Sequence, residues 1–142
     1  MNYRTSDVLK IFSINRNTFQ DWLDRQFIVP SISRSTKQGD PNLFSLSDLY
    51  CIYLFQQLMN FGINRKNASE YSKIMVNYEE KKIDDIQYLF INTNIGSNNY
   101  YMPEISLLVH PPNVDFFLQK EFSLLINLKV LIERVHELIK EK

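Results

Sequence analysis

The chain has 142 residues, 44% of them hydrophobic, and its 16 Lys and Arg balance 16 Asp and Glu. That length suits one domain or two small ones sharing a core, and ten Phe with eight Tyr exclude a chain too polar to fold. No apolar run approaches the roughly 20 residues that span a bilayer and no basic-then-apolar leader opens the chain, so a soluble cytoplasmic protein is expected.

Thr5 or Ser6 is placed to cap a first helix through Phe12, with Val8, Leu9, Ile11 and Phe12 as its apolar positions and Asp7 complementing its positive end. Asn15 caps a second helix to about Arg25, whose Phe19, Trp22 and Leu23 form one apolar stripe. Phe27-Ile28-Val29 is a β-prone run stopped by Pro30, and Leu43-Phe44 is placed to return as its partner. Between them lies a polar loop, 31–42, holding Arg34 and Lys37. The Ser-Leu-Ser-Asp run around Ser47 opens a third helix, Asp48 to about Phe61, ended by Gly62. Asn64 caps a fourth, Arg65 to about Asn77, with Ala68, Tyr71, Ile74 and Met75 on one side.

Glu79 to Lys82 is the expected linker. Beyond it, Gln87 to Asn92 reads as a strand, Asn94 to Asn99 as a turn, and Tyr100 to Val109 as either strand or short helix. Pro111-Pro112 breaks the chain, and Phe122 to Ile126 reads as a buried strand. Asn127 then caps a final helix in which Leu128, Leu131, Ile132, Val135, Leu138 and Ile139 follow helical spacing. This stripe can cover its own sheet or the same helix of a second chain. About 14 residues do not make a helix that is stable alone.

Catalytic chemistry has little to stand on. Three glycines, Gly39, Gly62 and Gly96, form no phosphate-binding motif. The lone Cys51 lies in an apolar run, where it reads as a small buried hydrophobe, and it excludes a disulfide or a cysteine-cluster metal site. His110 and His136 have no neighbour at ligand spacing, and Asp84-Asp85 reads as the charged start of a strand. Neither an enzyme nor a cofactor is expected.

Charge is unevenly spread. Up to Val76 there are nine Lys and Arg against six Asp and Glu, and beyond it seven against ten. Local charge governs phosphate contact, so the basic half is the one suited to nucleic acid.

The order of helix, three-residue turn, helix, basic loop, helix, helix resembles the MerR-type winged helix-turn-helix over Tyr3 to Ile74. Ile14, Asn15, Thr18, Phe19, Trp22, Phe27 and Pro30 fill matching positions. Phe44-Ser-Leu-Ser-Asp-Leu49 resembles the family's approach to its third helix, and Phe61-Gly-Ile63 the joint before the fourth. Gln20, Asp21, Gln26 and Asn42 depart from it, standing where many members have Arg, a DNA-facing Tyr, Gly and a wing Arg. The family's metal-sensing cysteines and long coiled-coil helix are absent.

The elements together predict an α+β chain with two parts, and the resemblance covers only the first. Residues 1–78 would form a winged helix-turn-helix of four helices and a two-stranded wing. Residues 83–142 would form a small α/β module, for dimerisation or sensing, that ends in an amphipathic helix. The implied function is a sequence-specific transcriptional regulator binding duplex DNA. Because one helix-turn-helix unit contacts only a few base pairs, a homodimer through the C-terminal module is expected, and an effector or protein partner is left open. The rival expectation is a protein-interaction adaptor that kept the scaffold and lost DNA binding.

In the DNA-binding case Arg16 and Asn17 suit guanine and adenine edges, and Gln20 suits adenine. Thr18 turns to phosphate or caps the helix. Asp21 accepts from cytosine, pairs with Arg25 at i+4, or faces solvent, and Arg25 is itself a candidate DNA contact. Arg34 and Lys37 reach the minor groove or backbone, while Arg65 and Lys66 join free helix N–H groups on phosphate.

Overall fold

A computed structural model describes residues 1–35, 40–76, 88–95, 101–108 and 122–142. The chain is of mixed α+β class and divides into two compact units, Met1–Lys82 with Arg134–Lys142, and Ile83–Glu133. The expected linker at Glu79–Lys82, Asp84-Asp85, Pro111-Pro112, His110 and Lys37 lie outside the described residues.

In the first unit, α1 (Thr5–Phe12), α2 (Arg16–Asp24), α3 (Leu46–Asn60) and α4 (Arg65–Ser72) surround one core. The helix α3 buries residues around most of its circumference, including Leu49, Ile52, Leu54, Phe55 and Leu58, so it is the central helix. Against it lie Val8, Ile11 and Phe12 of α1 and Phe19, Trp22 and Leu23 of α2, all buried. Trp22 meets Phe55 edge-on at 4.9 Å between ring centroids, and Phe19 lies 5.8 Å from Phe44. Trp22 is therefore core, as its stripe predicts.

The helix boundaries follow capping chemistry. Asn15 accepts from the Asn17 N–H at 2.9 Å and Asn64 from the Asn67 N–H at 3.0 Å, as expected. The first helix starts at Thr5 with Arg4 as its N-cap, so Thr5 is already helical, and Asp7 accepts from the Arg4 N–H at 2.8 Å. The third starts at Leu46, two residues earlier than predicted, because Ser45 rather than Ser47 is spaced for a capping box with Asp48. The fourth tightens after Ser72 into a 3-10 turn, Lys73–Met75, instead of running on to Asn77.

The expected strand Phe27-Ile28-Val29 does not form. Gln26 adopts φ +59°, and this left-handed residue lets the N–H groups of Phe27 and Ile28 turn back to the Trp22 carbonyl at 2.9 and 3.3 Å. Donors used to close α2 cannot enter a ladder, whatever the β propensity of the side chains. Instead β1 (Tyr3–Arg4) pairs antiparallel with β2 (Leu43–Phe44), and Ser33 adds an isolated bridge to Leu43.

One carboxylate fastens this region. Asp48 is 2% exposed, and its Oδ2 accepts from the Ser31 N–H at 2.9 Å, the Ser31 hydroxyl at 2.8 Å and the Ser45 N–H at 2.9 Å. The Asp48 N–H donates in return to the Ser45 hydroxyl at 3.1 Å. Three donors and the positive end of α3 compensate the buried charge. The same contacts tie the chain after α2 to the start of α3.

In the second unit β3 (Tyr88–Ile95) is the centre of an antiparallel sheet of order β4-β3-β5, with β4 Tyr101–Leu108 and β5 Phe122–Asn127. The strand therefore continues past Asn92 through Asn94 and Ile95, where a turn was expected, and 101–108 resolves as strand rather than helix. Leu89, Phe90 and Ile91 are all buried, as a central strand covered on both faces requires. On β5, Leu124 to Ile126 are half-buried, not buried as expected, consistent with an outer strand. The closing helix α5 (Leu128–Lys140) starts in this unit, while its residues from Arg134 onward are grouped with the first. It has its predicted cap, Asn127 accepting from the Val130 N–H at 3.1 Å. It buries Leu128, Leu131 and Val135.

Two substitutions check these local causes. Gln26→Gly removes the side-chain penalty at φ +59° and should stabilise by about 0.5–1 kcal/mol. Asp48→Ala strands three donors and should cost about 2–4 kcal/mol. Urea unfolding measures both.

Candidate nucleic-acid interface

Burial of Phe19, Trp22 and Leu23 leaves Arg16, Asn17, Thr18, Gln20, Asp24 and Arg25 exposed on the other side of α2. The turn into α2 is set by Ser13, whose φ of 52° lets the Ile14 N–H donate to the Leu9 carbonyl at 3.1 Å. Ile14 is thereby buried, and Asn15 is left free to cap the next helix.

Arg16, Asn17 and Gln20 line one depression of about 450 Å³. Its other walls are Arg4, Thr5 and Ser6 at the start of α1, and Ser35, Asp40, Pro41 and Asn42 of the loop before β2. Two helix N-termini and two arginines thus open on the same hollow, an arrangement suited to an anion. Among the described residues that line it, Asp40 is the one acidic group.

The loop is closed at its base. The Leu43 N–H donates to the Ser33 carbonyl at 2.8 Å, and Asn42 Oδ1 accepts from the Ser35 N–H at 2.8 Å. Asn42, where the resemblance leads one to expect Arg, is a loop fastener here. Arg34 is exposed on this loop.

A second cationic group lies further along α2. Asp21 Oδ1 accepts from Arg25 Nε at 2.6 Å, the i+4 pair that was one of its three expected alternatives, and Asp21 Oδ2 lies 3.4 Å from Arg65 Nη1 at the start of α4. Lys66 follows Arg65 and is exposed. Gln20 Nε2 donates to Asp24 at 2.8 Å, which leaves its second N–H and its amide oxygen for another partner. Of the predicted residues, Arg16, Asn17 and Gln20 share the hollow, and Arg25 and Arg65 share Asp21. Thr18, Arg34 and Lys66 are exposed outside both groups.

Arg4 was missed by sequence reasoning because it lies just before the first helix, in a strand of two residues. Its signal was available only by asking which residues precede both helices on the same end of the unit. The Arg65 contact with Asp21 joins residues far apart in the chain and had no local signal.

Cys51 and His136 both have structural partners. Burial pushes the Cys51 thiol well above the usual thiol range, with Asp48 adding to the shift, and its Sγ donates to the Ser72 carbonyl at 3.1 Å. It borders an apolar cavity of about 260 Å³ that also touches Phe27, Val29 and Val76. The His136 ring lies 2.9 Å from the Tyr50 hydroxyl. Among the described residues no cluster of His, Cys, Asp and Glu could hold a metal ion, and no helix is long and apolar enough to cross a membrane. No protein-family model and no curated protein sequence matches the chain.

Proposed function

We propose that the chain is a sequence-specific DNA-binding transcriptional regulator of the MerR-like winged helix-turn-helix type, acting as a homodimer. The observation that carries this reading is the joining of Arg16, Asn17 and Gln20 with Arg4 and the two helix N-termini in one hollow. Side chains that recognise guanine and adenine edges stand beside groups that hold phosphate, which is the division of labour a major-groove helix needs. In this reading α2 enters the major groove and the loop 31–42 touches the flanking backbone with Arg34 and Lys37. The start of α4 supports a further phosphate through Arg65 and Lys66.

Dimerisation is proposed for the C-terminal part. One helix pair contacts only a few base pairs, so a symmetric dimer reading two half-sites gives the specificity a single unit lacks. On α5, Val130 is 57% exposed and Ile132, Leu138 and Ile139 are half-buried, which leaves apolar surface for a second copy.

A protein-interaction adaptor is the second reading, favoured by one observation. Val29 and Ile32, on either side of Pro30, are 48% and 43% exposed, and Val29 borders the apolar cavity. A partner segment could cover that patch without engaging α2.

Selection from a random-sequence duplex pool at two salt concentrations separates these readings. A regulator enriches a preferred site and loses affinity as salt rises. Arg16→Ala should cost about 1–3 kcal/mol and relax preference at one base pair, whereas Arg34→Ala should weaken all sequences alike. Absence of both enrichment and salt dependence would leave the adaptor. Sedimentation equilibrium should give twice the 16.9 kDa chain mass, and a monomer at every concentration would remove the dimer.

A further inference from the structure

We propose that Asp21 is a positioning residue that holds Arg25 and Arg65 as a two-pronged clamp for one nucleic-acid phosphate. This rests on the DNA-binding reading above and assigns a role to the acidic residue that most opposes it. A carboxylate on a DNA-facing helix ordinarily repels the backbone. Here both of its oxygens face guanidinium groups, Oδ1 at 2.6 Å from Arg25 Nε and Oδ2 at 3.4 Å from Arg65 Nη1. What the group turns outward is therefore the cations, and its sum is one positive charge.

The contacts also leave donors for a ligand. Arg25 uses Nε, which leaves both of its terminal nitrogens, and Arg65 uses one terminal nitrogen, which leaves the other and Nε. The two side chains remain 62% and 54% exposed, so these donors can be reached. Arginine side chains carry much rotamer freedom, and holding the planar group beforehand reduces what is lost when it meets phosphate. Asp21 also bridges two elements, α2 and the first residue of α4, so the cations come from both sides of one point.

The sign of one substitution decides the matter. Asp21→Asn removes a negative charge, so a merely repelling carboxylate predicts tighter binding. A positioning carboxylate predicts weaker binding despite the added positive charge. Fluorescence anisotropy with a labelled mixed-sequence duplex is expected to show about threefold to tenfold weaker binding, with a salt slope shallower by about one. Asp21→Glu should bind as wild type does, and thermal midpoints should stay within about 2 °C, because an exposed pair adds little stability. Arg65→Ala should cost less in the Asp21→Asn background than in wild type. Equal or tighter binding by Asp21→Asn overturns the clamp and leaves DNA binding intact. Failure of wild type to bind any duplex overturns the functional reading and the clamp together.

Discussion

Burial of one face of α2 is the constraint on which the rest depends. Phe19, Trp22 and Leu23 lie in the core beside Phe44 and Phe55. Each such side chain contributes about 1.5–3 kcal/mol relative to exposure, and edge-on aromatic pairs add about 0.5–1.5 kcal/mol. No polar contact on the outer face competes with that sum, so the helix has one available rotation. Given that rotation, Arg16, Asn17 and Gln20 must point away from the core. Their exposure is a consequence of packing and does not depend on their own chemistry.

Fixing the rotation is only half of positioning. The chain leaving α2 must also be held, and it runs through Ser31 to the buried carboxylate of Asp48. The Ser69 hydroxyl, which donates to the Phe27 carbonyl at 2.7 Å, ties α4 to the same stretch. These bonds bring the start of α4, and with it Arg65, beside α2. The outer face is consequently mixed in charge: Asp21 and Asp24 lie between Arg16 and Arg25 along the chain and are bonded to Arg25, Arg65 and Gln20. A modest basic excess in the first half of the sequence becomes two defined groups, the hollow at Arg4 and Arg16 and the pair around Asp21.

Much of this was legible in the sequence, and the limits have physical causes. Asn15, Asn64 and Asn127 were readable as caps because the Asn side chain has few better uses immediately before an apolar stripe. The stripes of α1, α2, α4 and α5 predicted which side of those helices is buried, whereas α3 has no such stripe and is buried around most of its circumference. Phe27-Ile28-Val29 misled because side-chain propensity says nothing about donors already committed to the end of α2. The spacing Ser45 to Asp48 was the better capping signal, and Ser47 lies too close to Asp48 to serve. The pairing of β1 with β2, the hub at Asp48 and the Asp21–Arg65 contact all join distant parts of the chain. Periodicity and capping rules act locally and do not reach them.

The central claim is that the polar face of α2 is the surface that meets duplex DNA. It is tested most directly by an amide-resolved NMR titration of the protein with the duplex selected from the random pool. Shifts should concentrate at Arg4 to Ser6, Arg16 to Gln20, Arg34 and Arg65, and should fade as salt is raised. Shifts confined to Val29, Ile32 and the neighbouring apolar cavity, or none at any ratio of duplex to protein, would contradict it.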